Sequence, residues 1–278
     1  MGTTQERTPL DTDVVVVGGG NAGFTAAHAA SARGRKVILL ERGTRDLAGG
    51  NSFFTAGATR ITHEGLESLV NLVEPDDRHS RTIVPQYSAE EYTADLEKVT
   101  EGRNDPELTE VLVREVTPTM EWLKSIGMRY RLMYERQAYE RPDGSFLFWG
   151  GLHIGNVDGG EGMIADHTRI AQSNGVDIRY GHRARQLLTD GDQVVGVLAE
   201  TDKGTVEINA ESVILAAGGF EANSKKARGV PRPRLGKRQS SWHTIQRRGH
   251  DQSRVRCRCY ARRRFQHLPQ RSVGRIQP

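Results

Sequence analysis

Three glycines at the spacing Gly18-x-Gly20-x-x-Gly23 follow directly on the β-branched run Val14 to Val17, and an acid, Glu41, stands 18 residues beyond the last of them. Each position has a chemical use. A glycine at 18 permits a tight turn, one at 20 lets the backbone approach a pyrophosphate with no Cβ between, and one at 23 lets the next helix lie close on the sheet. The helix N-terminus, with Asn21 and Ala22 in its first turn, offers unpaired N–H groups and partial positive charge to a phosphate. Glu41 suits the ribose hydroxyls and repels a 2′-phosphate, which disfavours a phosphorylated dinucleotide. Arg42 beside it belongs to the same group of cofactor-binding candidates. The motif by itself does not separate a flavin from a nicotinamide dinucleotide.

The elements that must hold these residues are legible around them. Asp13 to Val17 reads as a strand, Ala22, Ala26, Ala27 and Ala30 as one face of a helix ending near Gly34, and Lys36 to Leu40 as a second buried strand. That is the strand, helix, strand unit of a parallel crossover. A mainly helical stretch follows. Ser88 with Glu91 makes a capping box, Asp105 with Pro106 an N-cap and first-turn proline, and Met120 to Ile126 stops at Gly127. Glycine and aromatic residues then dominate (Phe146, Phe148, Trp149, Gly150, Gly151, Gly159, Gly160, Gly162) before a helix from Met163 to Asn174. Strands are expected at Val176 to Tyr180, at Val194 to Leu198 paired with Thr205 to Ile208, and at Ser212 to Ala216. The fold class is α/β: a Rossmann-like dinucleotide-binding domain over residues 12–223, interrupted by a mainly helical, substrate-side insertion at about 70–160.

Composition separates two unlike texts. The chain has 278 residues and a formal net charge of +4, but residues 224–278 hold 17 of the 39 Lys and Arg and one acid, Asp251, a net of +16. The first 223 residues hold 22 basic and 34 acidic groups, a net of −12. Nucleic-acid binding by the whole chain is therefore not the default. The polar start, Met1 to Asp13, is no secretory signal, and no run approaches the roughly 20 apolar residues of a membrane span, so the expectation is a soluble, cytoplasmic protein. Cys257 and Cys259, one residue apart, suit neither an ordinary disulfide nor a zinc site, and no metal is expected.

The segment Gly49-Gly50-Asn51-Ser52-Phe53-Phe54-Thr55-Ala56-Gly57 resembles the second flavin-contacting loop of the fumarate reductase and succinate dehydrogenase flavoprotein family. Gly175 to Asn223, closing on Val213-Ile214-Leu215-Ala216-Ala217-Gly218-Gly219-Phe220-Glu221-Ala222-Asn223, resembles the strand pair and second glycine motif of that family. With Phe148-Trp149-Gly150-Gly151 and Gly159-Gly160, the wording is most similar to tricarballylate dehydrogenase-like members. The resemblance covers residues 12–223 and implies FAD. Gly18 to Gly23 would hold its pyrophosphate and Glu41 its adenosine ribose. The loop Gly50, Asn51, Ser52, on to Gly57, would run toward the flavin. The backbone of Ala184, between two strands, would meet the adenine, and Ala217 with Gly218 would approach from the other side. Members that attach FAD covalently carry histidine where this chain has Asn51, so non-covalent FAD is implied.

The same resemblance implies hydride exchange between the flavin and a carbon adjacent to a carboxylate of a small polycarboxylate, with an electron acceptor it does not identify. The family's proton-transfer arginine and carboxylate-binding residues lie downstream of the Gly-Gly-Phe motif. Nothing recognisable follows that motif here, so no catalytic residue is assigned. Two alternatives stay open: a 3-ketosteroid dehydrogenase-like flavoenzyme, and a catalytically inactive protein of this fold with a basic binding tail.

Arg60, His63 and His153 are candidates to touch an anionic substrate, against the blander reading of solvated surface residues, which weighs more. His28 and His167 read as structural, and Arg131, Arg136 and Arg141 as a charged face. From Ser224 the hydrophobic periodicity ends. Either the tail is a basic arm, or it is the product of a reading-frame shift just after Asn223, which its abrupt start inside a domain favours. It is expected to be disordered in both cases, with too few apolar residues to offset about 1–2 kcal/mol of backbone entropy per residue. The chain as it stands is expected to bind FAD poorly and to lack turnover. Translation of the two other frames downstream of codon 224 is expected to give flavoprotein-like sequence; a nonsense text in both would leave the basic arm.

Overall fold

The computed structural model describes residues 9–151 and 153–219. The expectations for the basic tail and its two cysteines lie outside the described residues. The chain divides into two compact units, one made of the residues up to Phe53 with those from His167 onward, the other of Phe54–Asp166. The second is wider than the expected insertion.

The first unit is built on a six-stranded sheet. β1 (Leu10–Val17) lies between β2 (Val37–Leu40) and the strand Gly204–Leu215 and runs parallel to both, pairing Val15 with Ile38 and with Val213. Asp177–Arg179 pairs parallel outside β2, and Arg183–Asp190 and Gln193–Thr201 complete the other side as antiparallel strands. A parallel strand buried on both faces needs a continuous apolar run, which Val14 to Val17 supplies. Val15, Val17, Ile38, Leu40, Val197 and Ile208 form one core cluster.

Two expectations change in this sheet. Thr205 to Ile208 and Ser212 to Ala216 are one strand, Gly204–Leu215, because no glycine or proline interrupts the backbone between them. Arg183–Asp190 is a strand that the sequence conceals: its charged residues face solvent and ion pairs, such as Arg185 with Glu200, and only Leu187 is fully buried. Ala184 therefore lies within a strand, opposite Ala199, rather than between two strands.

The turn between β1 and the helix α1 (Asn21–Ser31) is where the sheet is tightest. Gly18 has φ +110°, and a Cβ on it would stand 2.4 Å from the Ala216 carbonyl oxygen. A Cβ on Gly23 would stand 1.8 Å from the Gly18 carbonyl oxygen, so α1 can seat on the strand only with hydrogen at that position. Gly18 N–H donates to the Leu40 carbonyl and Ala216 N–H to that of Val17, which ties the carboxyl ends of three strands at the turn.

α1 buries Gly23, Phe24, Ala27 and His28 on one face. His28 and His167 are 1% and 0% exposed, and their rings stack, with Phe24 lying 5° from the plane of His167. Their structural reading from the sequence thus has a concrete form.

In the second unit the helices Ala89–Thr100 and Pro106–Ser125 start as expected. Both bonds of the Ser88 and Glu91 capping box are made, and the Asp105 carboxylate accepts from Leu108 N–H. Met120 to Ser125 forms the last part of the longer helix, which is capped at Ile126 just before Gly127. The unit is less helical than expected. Ala58–Thr59, Ile154–Asn156 and Tyr130–Leu132 form one small sheet, and Thr82–Ile83, Phe146–Phe148 and Ala138–Glu140 another. Strands of two or three residues are too short to show a period of two. Gly159, Gly160 and Gly162 open the helix Gly159–Ser173 instead of belonging to a loop, a position where the first N–H groups lack helical partners whatever the residue. Among the described residues no helix is long and apolar enough to cross a membrane.

Burial lowers the pKa of His28 to about 4, and lowers that of His167 to about 3 with help from its neighbour. In the unfolded chain both titrate near 6.5. The folded state thus holds fewer protons below pH 6.5, and stability present at pH 7 is lost as pH falls from there toward 4. Denaturant unfolding between pH 7 and 5 is expected to show a slope steepened by up to about 1.4 kcal/mol per pH unit for each histidine. The double substitution His28→Phe, His167→Phe should flatten it; an unchanged slope would contradict this account.

Candidate functional site

The candidate site of the first unit is the turn and what surrounds it. Gly20, at the helix N-cap position, has no side chain to cap the first turn of α1, whose N–H groups face outward as donors. One is taken: Asn21 N–H donates to Ser52 Oγ at 3.0 Å. Ser52 belongs to the short helix Gly50–Phe53, and a Cβ on Gly20 would come within 3.3 Å of its hydroxyl, so the loop around Asn51 stands directly against the glycine turn. Ala216 and Ala217 stand against Gly18, and Gly218 follows with φ +74°.

Glu41 is 7% exposed, and its charge is held by backbone donors. Gly19 N–H donates to Oε2 at 2.9 Å and Gly43 N–H to Oε1 at 2.7 Å. Each carboxylate oxygen accepts through one direction and retains another, so the group is fixed and still an acceptor. Arg42 next to it has a buried Nη1 with no hydrogen-bond partner among the described residues, and burial lowers its pKa against the opposing pull of Glu41. An acceptor pair, an orphaned guanidinium donor and a helix N-terminus beside a turn that excludes Cβ atoms fit the ribose and phosphates of a dinucleotide.

The backbone around Glu41 is met by the segment that precedes Ala184. Glu41 N–H donates to the Arg179 carbonyl, His182 N–H to that of Glu41, and Gly181 N–H to that of Gly43. Residues 179–182 thus flank Glu41, and Ala184 follows as the second residue of the strand Arg183–Asp190. Gly57 lies in the second unit, with φ +69° and its carbonyl accepting from Asn156 N–H.

That unit also brings together Arg60, His63 and His153, which are not the solvated surface residues favoured from sequence. His63 and His153 are both buried, with His63 Nε2 and His153 Nδ1 2.9 Å apart. Gly65 N–H donates to His63 Nδ1, which leaves the proton of His63 on Nε2 and that of His153 on its own Nε2, beside the backbone of Trp149 and Gly150. Burial lowers the pKa of both, and that of His63 to about 4. Arg60 is occupied: it donates to the Asp95 carboxylate and to Tyr87 Oη, each at 2.6 Å, and lies over the rings of Tyr87 and Tyr92. A cavity of about 440 Å³ beside His63 has Glu64, Glu90 and Glu121 in its lining and no lysine or arginine, the wrong sign for a polycarboxylate.

Sequence reasoning missed how the buried histidines pair. His28 meets His167 across 139 residues, and His63 meets His153 across 90, and no local spacing announces either.

Comparison with known proteins agrees with this geometry. A family described as FAD binding domain matches residues 13–251, a span that continues past Asn223. The fumarate reductase (cytochrome) of Shewanella frigidimarina is 31% identical over 228 residues, 78% of this chain and 35% of its own length. The L-aspartate oxidase of Caulobacter vibrioides is 30% identical over 215 residues, 74% of this chain and 37% of its own. Among solved structures, the open conformation of a flavocytochrome c3 fumarate reductase superposes with a TM-score of 0.62 at 26% identity, over 84% of this chain and 38% of that one. The chain spans about a third of the length of these curated relatives. It belongs to the FAD binding domain family, that of the fumarate reductase and succinate dehydrogenase flavoproteins, and its cofactor is FAD.

Proposed function

We propose that this chain carries the cofactor-binding part of an oxidoreductase that transfers hydride between FAD and a small polycarboxylate. The observation that carries the reading is the 228-residue likeness to a fumarate reductase, joined to a glycine turn and fixed Glu41 that suit the cofactor. FAD supplies a two-electron hydride acceptor and donor. The protein's residues bind and orient. The first turn of α1, from Gly18 and Gly20 through Asn21, Ala22 and Gly23, holds the pyrophosphate. Glu41 accepts from the ribose hydroxyls and Arg42 donates beside it. Gly50, Asn51, Ser52 and Gly57 run toward the flavin, Ala184 serves the adenine, and Ala217 and Gly218 close the other side.

Asn51 offers no ring nitrogen for attachment, so the cofactor is held non-covalently. The likeness of residues 51–57, 148–151 and 159–160 to tricarballylate dehydrogenase-like members supports a tricarballylate-type substrate, and the electron acceptor is a separate partner. Because Arg60 is engaged by Asp95 and Tyr87, none of the described residues read as carboxylate binders is ready to hold the substrate.

The purified chain is expected to bind FAD weakly, gaining flavin visible absorption with excess FAD and releasing all of the flavin on acid precipitation. Glu41→Ala should weaken the affinity by about tenfold or more, the loss of hydrogen bonds to a charged acceptor. A colourless chain that binds DNA tightly and loses it in salt would sink the reading. Oxidation of tricarballylate should be absent from the 278-residue chain; if the tail is a frame-shift product, restoring that frame should bring it back. A restored protein whose flavin is bleached by a 3-ketosteroid and not by small polycarboxylates would overturn the substrate class.

A further inference from the structure

The buried histidines of the first unit end at the phosphate turn. His28 Nε2 lies 3.0 Å from His167 Nδ1, and His167 Nε2 lies 2.8 Å from the Oδ1 of Asn21, the first residue of α1. The other ring nitrogen of His28, Nδ1, is buried and without a partner among the described residues. Two proton arrangements satisfy the distances. In one, His28 carries its proton on Nε2 and donates to His167, which donates from Nε2 to the Asn21 amide oxygen. In the other every bond is reversed, Asn21 donates inward, and an N–H is orphaned at His28 Nδ1. Orphaned buried N–H groups are the rarer defect, so the first arrangement stands.

We propose that His167, backed by His28, is a positioning residue for the FAD pyrophosphate: it holds the Asn21 carboxamide with its oxygen inward, which leaves Nδ2–H₂ as a donor for the anion. Asn21 is exposed at a helix N-terminus, where the reverse orientation would aim an amide oxygen at a phosphate. The ring of His167 cannot turn easily, being stacked with Phe24 at a centroid distance of 5.3 Å and with His28 at 5.2 Å. The side chain of His28 keeps the tautomer of His167, as the outer partner of a histidine commonly does. Burial keeps both rings neutral at neutral pH, so each has one donor and one acceptor and the chain has a direction. The inference rests on the cofactor alone; the substrate class proposed above can fail while it stands.

The test is FAD affinity of the full chain, read by flavin fluorescence, with imidazole nitrogen NMR of the wild type. His167→Phe, which keeps a ring against Phe24 but removes the donor, should weaken FAD about tenfold or more. Asn21→Ala should weaken it similarly, and the double variant should be no weaker than either. His167→Gln, whose terminal amide restores a donor near the Nε2 position, should recover most of the affinity. The NMR should show neutral rings protonated at Nε2 in both His28 and His167. A folded His167→Phe variant with wild-type affinity, additive losses in the double variant, an Nδ1-protonated ring at either position, or a wild-type chain that binds no FAD would each overturn the proposal. Should His167→Phe fail to fold, Asn21→Ala, His167→Gln and the wild-type NMR decide it, with wild-type affinity in Asn21→Ala counting against.

Discussion

Three strands end around one residue that has no room for a side chain. Gly18 takes its N–H to β2 through Leu40, its α-carbon against Ala216 just past the neighbouring strand, and its carbonyl against Gly23 of the helix. The consequence is geometric. Once Gly18 is seated, α1 is aimed, Gly19 reaches the Glu41 carboxylate, and Asn21 reaches Ser52. The backbone thus arranges donors for an anion and an acceptor for hydroxyls before any side chain is asked to move, which lowers the ordering cost of binding.

The two units treat charge differently. Around the turn, the helix N-terminus supplies partial positive charge and Glu41 is the single buried acid among the described residues, held by two backbone donors. In the second unit, Asp166, held by Arg129, is the only buried acid among the described residues, and burial pushes His63 and His153 toward their neutral forms. Arginines there are spent on local pairs, Arg60 with Asp95, Arg78 with Asp76, Arg131 with Glu135. Such partly exposed pairs contribute little stability each, but they leave few free cations among the described residues to meet a carboxylate.

What was legible in the sequence was local. The glycine spacing, the apolar run before it and the acid after it all lie within 30 residues, and the caps at Ser88 and Asp105 within four, so each carries its own physical reason. The strand Arg183–Asp190 was hidden because one face is charged and only Leu187 sinks into the core. The join of 205–208 to 212–216 was hidden because Ala210 and Glu211 look like a break in hydrophobicity, although nothing in them breaks a backbone. Arg60 looked available because its partners, Tyr87 and Asp95, stand 27 and 35 residues away. The histidine pairs are further apart still, and their burial is a property of the packed units rather than of any segment.

The pairing of β1 with Gly204–Leu215 also sets an order of events during synthesis. Leu10 stands in register with Ile208, so β1 leaves the ribosome about 200 residues ahead of the strand it pairs with. At roughly 5–20 residues per second the delay is on the order of ten to forty seconds. Throughout it Val14 to Val17 is an apolar strand with one edge unpaired, the kind of edge that recruits other chains. The anion-binding turn therefore matures only after its distant partner strand is made, well behind its own glycines, and until then the valine strand keeps one edge open.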